Sequence, residues 1–352
     1  MTPTGAAPGG ADKTPDGPGP RAAPAATSGR SGAVLAVDSG GSGLRAVLAA
    51  CGGGGAALST PLVSKEPVRT GPRGIDAGQL LEQLLPMARQ LLADAGVGGP
   101  YAVAIGAAGF ATLGDQLRAE LPSALARELG VPRIALAADA VTAYTGALGA
   151  RPGAVVAAGT GLIAVGTDLR SWRRADGWGH LLGDCGSGAW IGRAGLEAAL
   201  RAHDGRPGGS PRLLTRAEER FGPVAALPGK LYPRTDRPAV LASFAPEVAA
   251  CAPDDPVSAG ILRTAARHMA ESAAAVCPAT GHPQVALTGG LFKMGAPLLV
   301  PLGEELARQL AHARQVTAEG DPLHGAVRIA LDLAAGSLTL PCDEHMLYVV
   351  TE

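Results

Sequence analysis

The most informative segment of this chain is Ala33-Val34-Leu35-Ala36-Val37-Asp38-Ser39-Gly40-Gly41-Ser42-Gly43, in which five apolar residues lead into an acidic residue and a glycine-rich turn. An uninterrupted apolar run of this length predicts a buried strand that ends before Asp38. Residues 44–50 and 57–63 predict two further strands, separated by a glycine turn at 51–55. The fold therefore opens with three strands joined by two turns.

The rest of the sequence alternates helices and strands, which indicates an α/β protein. After the opening strands we predict helices at 76–95 and 114–129, strands at 101–105 and 134–138, and a helix that begins near Asp139. The order then restarts with strands at 154–158, 162–165 and near Trp172. It continues with helices at 189–201, 213–221, 257–276, 296–313 and 323–335, and a strand at 284–287. This repetition predicts two similar units, at residues 33–150 and 151–336.

The two ends of the chain lack a clear pattern. Residues 1–32 contain 13 Gly or Pro and no aromatic residue. Such a segment buries too little apolar surface to offset the entropy of ordering, so we predict a disordered leader. For residues 337–352 the sequence pattern predicts neither a helix nor a strand, so their structure is unknown at this point.

Composition excludes several classes of protein. The chain has 352 residues, of which 47% are hydrophobic, and its 30 Lys and Arg nearly balance 31 Asp and Glu. A near-neutral surface argues against nucleic acid and anionic membranes as partners. No apolar run reaches the ~18 residues of a spanning helix, and the start of the chain lacks a signal-peptide pattern. The five cysteines are far apart, without a CxxC pair, and we expect reduced thiols in a cytoplasmic protein.

Three glycine turns each follow an apolar strand, at residues 38–43, 158–161 and 288–290. Glycine lets backbone N–H groups approach an anion closely, so each turn is suited to cradle phosphate. Each turn taken alone also fits an ordinary hairpin, because glycine supplies the positive φ that tight hairpins need. Both interpretations stay open at this point.

The order of these turns, together with Asp139 and the run Gly177-Trp178-Gly179-His180-Leu181-Leu182-Gly183-Asp184-Cys185-Gly186-Ser187-Gly188, resembles the BadF/BadG/BcrA/BcrD ATPase family. Within that family the chain is similar to the N-acetylglucosamine kinases. The resemblance extends over about residues 33–335, and its most specific part is Gly-Trp-Gly-His-x-x-Gly-Asp. It implies the fold of the actin, sugar kinase and heat-shock ATPase superfamily. In that fold two duplicated ribonuclease H-like domains enclose a nucleotide in the cleft between them.

The resemblance implies ATP and Mg²⁺ as cofactors and assigns residues to them. The first phosphate turn would comprise Gly40, Gly41, Ser42 and Gly43. The second would comprise Gly159, Thr160 and Gly161, and the turn beside the adenosine Gly289 and Gly290. Asp38 would hold the magnesium ion through water, since Mg²⁺ takes one or two carboxylates together with phosphate oxygens. Alternatively, Asp38 caps the end of its strand.

The same resemblance makes Asp139 the catalytic base, which accepts the proton of the sugar 6-hydroxyl as that oxygen attacks the γ-phosphate. Because Asp139 follows a predicted strand and begins a predicted helix, the residues alone equally indicate an N-cap. The two roles are compatible.

Sugar binding is implied for Asp184, Trp178 and Gly109. Asp184 would accept hydrogen bonds from sugar hydroxyls or, alternatively, cap the following helix. The Trp178 indole would cover the apolar face of the sugar or pack in the core. The backbone of Gly109 would line the sugar pocket. Alternatively, Gly109 is an ordinary loop glycine. His180 lies beside two leucines, which favours a structural role over that of a base.

Two segments depart from the family pattern. The first turn reads Asp-Ser-Gly-Gly-Ser where the family usually has Asp-Gly-Gly-Gly-Thr. The loop at residues 69–74 lacks the Asn with which sugar kinases commonly contact the sugar, and Arg73 is a candidate replacement. ROK sugar kinases are also related, but their Cys-rich zinc loop is missing from this sequence.

The resemblance thus implies an ATP-dependent kinase that phosphorylates N-acetylglucosamine or glucosamine at the 6-hydroxyl. The expected partners are a small-molecule sugar and, in a homodimer, a second copy of this chain. Two alternatives remain. One is an activator ATPase of a 2-hydroxyacyl-CoA dehydratase type of system, whose iron-sulfur cluster needs suitably placed cysteines. The other is a nucleotide-binding regulator without turnover.

Overall fold

The structure is a computed structural model that describes residues 32–41, 43–52, 55–71 and 74–351. The predicted leader at 1–32 lies outside the described residues, apart from Gly32. Ser42 of the first predicted phosphate turn and Arg73 of the departing loop also lie outside them.

The described residues alternate strands and helices in the predicted manner. The strands are β1 (Ala33–Gly40), β2 (Gly43–Ala50), β3 (Leu62–Ser64), β4 (Thr70–Gly71), β5 (Gly74–Ile75), β6 (Ala102–Ala107), β7 (Arg133–Ala138), β8 (Gly153–Ala158), β9 (Leu162–Thr167), β10 (Trp172–Asp176), β11 (Gln284–Thr288), β12 (Arg314–Thr317) and β13 (Leu347–Thr351). The helices are α1 (Ala77–Asp94), α2 (Phe110–Leu113), α3 (Asp115–Leu129), α4 (Asp139–Leu148), α5 (Gly188–His203), α6 (Pro211–Phe221), α7 (Leu227–Leu231), α8 (Arg237–Ala242), α9 (Ala245–Cys251), α10 (Pro256–Val276), α11 (Ala296–Gln309) and α12 (Pro322–Ala335). Short 3-10 helices lie at Val224–Ala226 and Gly290–Met294.

Two sheets repeat the same strand order. The first sheet runs β3-β2-β1-β6-β7-β13 and the second runs β10-β9-β8-β11-β12. The first five strands of the first sheet thus match the five strands of the second, and β13 is added at one edge. In each sheet the opening strand pairs antiparallel with the strand that follows it and parallel with a later strand, namely β6 beside β1 and β11 beside β8. The α/β class is thereby confirmed, and the repeated topology accounts for the repeated order in the sequence. The boundaries predicted for the two domains stay a prediction.

Strand β1 is longer than predicted. Its apolar residues are fully buried, as expected for a strand with neighbours on both sides. The strand does not end before Asp38, because the antiparallel ladder with β2 continues to the pair Gly40 and Gly43. Asp38 therefore lies within the sheet.

The predicted strand at 57–63 is wrong for most of its length. Only Ala57 forms an isolated bridge, to Ala49, and β3 begins at Leu62. Leu58 is exposed, and Pro61 precedes β3 without an N–H for a ladder. Small and polar residues therefore interrupt the strand before its short paired part.

Several elements were absent from the sequence prediction. Strand β12 has one apolar residue, Val316, and lies at the edge of the second sheet, so it gives no continuous apolar run. Strand β13 pairs antiparallel with β7, which gives residues 347–351 a place in the first sheet. Helix α12, which the sequence predicted at 323–335, packs on the first sheet, against β1 and β6, and against α4. The chain thus returns to its first sheet after passing through the second.

The buried apolar residues form two cores, and the first core also includes Val155, Val165 and Ala286 of the second sheet. The first core includes Leu35, Leu84 and Tyr144, and the second includes Phe244 and Met269, all fully buried. Within the described part of the chain, no helix combines the length and apolar character needed to cross a bilayer.

Candidate active site

A cleft of about 500 Å³ collects residues from both sheets. It is lined by Gly109, Ala111, Thr112, Ala138, Asp139, Ala140, Ala157, Ala158, Gly159, Gly161, Leu162, Ile163, Arg174, Gly177, Asp184, Gly289, Pro322 and Met346. Predicted site residues within this lining are Gly109, Asp139, Gly159, Gly161, Asp184 and Gly289. Predicted site residues outside it are Asp38, Gly40, Gly41, Gly43, Thr160, Trp178 and Gly290. The structure thus brings six of the predicted site residues together at one cleft.

The first glycine turn is a hairpin between β1 and β2. Gly43 has φ +120°, and a Cβ there would lie 2.0 Å from the Ser64 carbonyl oxygen, so this glycine is required by the backbone. Gly40 and Gly41 differ, because no described atom lies within 4 Å of the position that a Cβ would take. No neighbouring atom therefore requires glycine at these two positions, and the absence of side chains leaves the space beside the turn open.

The second glycine turn is also a hairpin, between β8 and β9, and it is held against the start of α5. The carbonyl oxygens of Gly159 and Thr160 accept hydrogen bonds from the N–H groups of Gly188 and Ala189 at 2.9 and 3.0 Å. Gly159 faces open space. A Cβ on Gly161 would lie 2.7 Å from Oδ2 of Asp184, so Gly161 allows the turn and that carboxylate to approach.

The third glycine turn is not a hairpin, because β11 is parallel to both of its neighbours and leads into a 3-10 helix. Gly289 has φ +109°, and a Cβ there would lie 2.2 Å from the Ala158 carbonyl oxygen. Gly290 has open space around it. Gly289 therefore brings the end of β11 close to the end of β8, at the second turn.

Asp38 is held by a cross-strand ion pair. Nη2 and Nε of Arg45 donate to Oδ2 of Asp38 at 2.6 and 3.1 Å, and Nη1 of Arg45 donates to Asp321 at 2.7 Å. Burial raises the pKa of Asp38, and the contact with Arg45 acts in the opposite direction. The alternative in which Asp38 caps the strand end is wrong, since β1 continues beyond it.

Asp139 occupies the first position of α4, at the end of β7. The N-cap residue is Ala138, which makes no side-chain capping bond, so Asp139 is not the N-cap that the sequence offered as an alternative. Oδ1 of Asp139 accepts from the N–H of Ala140 at 2.9 Å. Burial, reinforced by the nearby charge of Asp38 and opposed by Arg174, raises the pKa of Asp139 to about 6. A carboxyl with that pKa is ionised at neutral pH and can accept a proton.

Asp184 is buried at the cleft in a left-handed conformation, φ +53°. Its Oδ1 accepts from the N–H of Gly179 at 3.2 Å, and burial raises its pKa. It does not cap α5, because Ser187 does so by accepting from the N–H of Trp190 at 3.2 Å. Asp184 lines the cleft, where its carboxylate also lies beside Gly161 of the second turn.

Asp176 organises the loop that carries Asp184. Its two carboxylate oxygens accept from the N–H groups of Asp184 and Cys185 at 2.5 and 2.8 Å. The sequence prediction missed this residue. An acidic residue directly before a glycine-rich loop is the available signal, since Asp often accepts hydrogen bonds from backbone N–H groups nearby.

Trp178 is 62% exposed, so it does not pack in the core. Its ring is covered by the guanidinium of Arg174, 4.4 Å from the ring centroid. Arg174 lines the cleft and was also missed, because a lone Arg in a short strand has no motif. Arg45 was missed too, although a two-residue hairpin places it opposite Asp38.

Gly109 has φ +81° and lies between β6 and α2. Its carbonyl oxygen accepts from the N–H of Leu113 at 2.9 Å. It is therefore a turn glycine that also lines the cleft. Met346, from the segment without a sequence prediction, reaches the same cleft, and its carbonyl oxygen accepts from the N–H of Ala138 at 2.9 Å.

Comparison with known proteins identifies the family of this chain. The BadF/BadG/BcrA/BcrD ATPase family matches residues 35–330. The N-acetylmuramic acid/N-acetylglucosamine kinase of Clostridium acetobutylicum is 36% identical over 107 residues, which span 30% of this chain and 34% of that protein. The match therefore spans about a third of the length of this relative.

Two solved structures share the fold. A protein of Chromobacterium violaceum, provisionally assigned as an N-acetylglucosamine kinase, has 28% identity and a TM-score of 0.67, over 84% of this chain and 97% of that one. A protein of Porphyromonas gingivalis with the same provisional assignment has 19% identity and a TM-score of 0.64, over the same shares of the two chains. The repeated sheets are accordingly the duplicated ribonuclease H-like domains of an actin-like ATPase fold, and this chain belongs to the BadF/BadG/BcrA/BcrD ATPase family.

Proposed function

We propose that this protein is an ATP-dependent kinase that phosphorylates an amino sugar, N-acetylglucosamine or glucosamine, at the 6-hydroxyl. One observation carries the proposal: the partly buried carboxylate of Asp139 shares a cleft with the turn Gly159–Gly161 and with Asp184. Such an arrangement supplies a base, an anion cradle and a hydroxyl acceptor in one place. The names of the relatives from Clostridium and Chromobacterium support a sugar acceptor.

Asp139 acts as the base in this proposal. Its Oδ1 is oriented by the N–H of Ala140, which leaves the other oxygen to accept the proton of the sugar hydroxyl. Phosphoryl transfer depends mainly on alignment and charge neutralisation, so an oriented carboxylate with a pKa of about 6 suffices.

The nucleotide would lie on the glycine turns. ATP is the nucleotide that membership of an ATPase family implies. Gly40, Gly41, Gly159 and Gly290 have open space where a side chain would stand, as expected for turns that leave room for phosphates and adenosine. Ser42 is part of this assignment by sequence alone.

Asp38 fits a water-mediated magnesium site. Oδ2 of Asp38 is held by Arg45, whereas Oδ1 accepts no hydrogen bond from the described residues. No group of three or more His, Cys, Asp or Glu in the described part of the chain is arranged to hold a metal. A single carboxylate with phosphate oxygens and water is the usual environment of Mg²⁺ beside ATP. Bound there, Mg²⁺ would neutralise charge on the phosphates.

The acceptor sugar would lie between Asp184 and Gly109. Asp176 fixes the backbone on which Asp184 stands, so its carboxylate is preorganised to accept from sugar hydroxyls. The loop at residues 69–74 contains no Asn to add amide contacts. Recognition of the sugar therefore depends more on Asp184 and on the backbone near Gly109.

The proposal is tested by ADP release with Mg·ATP, measured with N-acetylglucosamine, glucosamine, N-acetylmannosamine, glucose and no sugar. We expect strong stimulation by one amino sugar. The position of the phosphate on the product follows from ³¹P–¹H coupling to the C6 protons. Asp176→Ala should raise the KM for the sugar about tenfold, because Asp184 loses its backbone support.

Other results would redirect the assignment. Hydrolysis of ATP that is independent of every sugar would favour an activator ATPase. Binding of ATP without turnover would favour a regulator. A phosphate on a hydroxyl other than O6 would overturn the position but not the kinase activity.

A further inference from the structure

Arg174 is a cation in the cleft without a carboxylate partner. It extends from β10 into the lining shared by Asp139 and Asp184. No carboxylate of the described residues lies within 4 Å of its guanidinium, although Asp139 is close enough for Arg174 to lower its pKa. A charged group beside a ligand cleft, unpaired by acidic side chains, has charge available for a ligand.

The guanidinium of Arg174 is fixed in place by its own loop. Nε donates to the Asp176 carbonyl oxygen at 3.2 Å, and Nη2 donates to the Gly177 carbonyl oxygen at 2.8 Å. The indole of Trp178 covers one face, 4.4 Å from the guanidinium carbon. Nη1 finds no acceptor among the described residues. The side chain is therefore preorganised with one donor edge unused.

The charge of Arg174 suits a phosphate better than the acceptor sugar. N-acetylglucosamine is neutral and glucosamine carries an ammonium group at neutral pH, so neither of the two proposed acceptors offers an anion to a guanidinium. N-acetylmuramic acid, the other sugar in the name of the Clostridium relative, carries a carboxylate, so the ligand test must separate that anion from the γ-phosphate. The transferred phosphoryl group carries negative charge on three oxygens, and an arginine beside such a group stabilises the transition state. The same group must approach Asp139, because Asp139 serves the hydroxyl that attacks it.

We infer that Arg174 binds the transferred phosphoryl group beside Asp139, and that Trp178 is the positioning residue that holds its guanidinium. This inference rests on the proposed kinase function, because that function supplies the reaction in which the phosphoryl group is transferred. Trp178 would then act by holding Arg174 rather than by contacting the ligand. This role explains why the indole is 62% exposed beside the cleft but does not line it.

The test compares ligands that differ in the γ-phosphate. Calorimetric titration of the full chain with Mg²⁺ and either AMP-PNP or ADP measures the contribution of that phosphate to affinity. We expect Arg174→Gln to weaken AMP-PNP binding about tenfold and ADP binding less than twofold. With the best acceptor sugar, kcat should fall ~100-fold or more, with little change in the KM for the sugar. Arg174→Lys should restore part of both losses.

Variants of the indole test the positioning role. Trp178→Ala should shift AMP-PNP affinity and kcat in the same direction as Arg174→Gln, by a smaller factor, and Trp178→Phe should remain close to the wild type. The neighbouring Arg173 is exposed on the same strand, so Arg173→Gln is the matched control and should change nothing.

Two results would overturn the inference. One is an equal loss of ADP and AMP-PNP affinity in Arg174→Gln, and the other is a rise in the KM for the sugar with kcat unchanged. The binding experiment needs no acceptor. A chain that turns over no sugar yet shows the γ-phosphate-specific loss would refute the kinase proposal while supporting the role of Arg174 as a γ-phosphate ligand.

Discussion

Asp139 combines a partly buried position with a single backbone hydrogen bond, and these two features set its chemistry. Burial disfavours the charged carboxylate and raises its pKa to about 6, against the lowering effect of the Ala140 N–H and of Arg174. The group is thus basic enough to take a proton and still ionised at neutral pH. The sequence showed an Asp at a strand-to-helix junction, but it did not show that Ala138 occupies the N-cap or that burial raises the pKa of Asp139.

The pH dependence of turnover should follow this pKa. A protonated Asp139 cannot accept the hydroxyl proton, so kcat/KM for the sugar should fall tenfold per pH unit below about 6 and level off above it. Steady-state rates between pH 4.5 and 8 measure this limb. A profile that stays flat down to pH 4.5 would show that Asp139 is not the ionisation that limits the reaction.

The contribution of Asp139 to the free energy of unfolding should decrease as the pH rises, whereas turnover should increase. Because the pKa of Asp139 is higher in the folded chain, its ionised form destabilises the fold above about pH 6, and this penalty disappears below about pH 4. Asp139→Asn should therefore raise the free energy of unfolding at pH 8 by on the order of 1 kcal/mol and leave it unchanged near pH 4. Urea unfolding at both pH values provides the measurement. A loss of stability at pH 8 would contradict the assigned environment.

Gly159 and Gly161 belong to one turn but should respond differently to a methyl group. Gly159→Ala adds a Cβ to open space, so the melting temperature should stay near the wild-type value while the KM for ATP rises about tenfold. Gly161→Ala pushes against Oδ2 of Asp184, so the KM for the sugar should rise as well. The control is Gly303→Ala. Gly303 lies in α11, which contributes no residue to the cleft lining, and a Cβ there also meets open space, so neither KM should change. Unchanged ATP kinetics in Gly159→Ala would argue against a phosphate cradle.

Among the elements, α5 connects the second glycine turn to the loop that carries Asp184. Its first N–H groups bond to the carbonyls of Gly159 and Thr160, and its cap Ser187 donates its own N–H to the Asp184 carbonyl oxygen at 2.9 Å. A shift at the start of this helix should therefore reach both the nucleotide and the sugar.

A pair of cap variants separates stability from function. Ser187→Ala should cost about 1 kcal/mol of stability, because the N–H of Trp190 loses its acceptor, and it should also raise the KM for ATP and sugar. Ser210 caps α6, whose residues do not line the cleft, so Ser210→Ala should lower stability alone. Denaturant unfolding and steady-state kinetics on both variants test this. Equal KM values in the two variants would contradict a coupling through α5.

The sequence predicted the elements that have a strong local signal. The apolar run of β1 and the helix α5, which was predicted to begin near residue 189 and begins at Gly188, were recognisable from the chain alone, whereas its cap Ser187 was not. Strands β12 and β13 were not, because edge strands need only one buried face and take their pairing from partners far away in sequence. The contact between Arg174 and Trp178 depends in the same way on how a loop folds back on its strand.

At the scale of the whole molecule, two sheets of the same strand order contribute to one cleft. Helix α12 and strand β13 follow the strands of the second sheet in sequence, but they pack on and pair with the first sheet. Nε1 of Trp172, on β10, donates to the Pro341 carbonyl oxygen at 2.7 Å, and Met346 lines the cleft. The last residues therefore contribute to the site, which composition and periodicity did not reveal.

The central claim is that Asp139 activates a sugar hydroxyl for transfer from ATP. The most direct measurement is sugar-stimulated ADP release by Asp139→Asn, beside calorimetric affinities of that variant for the sugar and for Mg·AMP-PNP. We predict that turnover falls by ~10²–10⁴ while both ligands still bind with near wild-type affinity. Full sugar-dependent turnover in a folded Asp139→Asn variant would contradict the account.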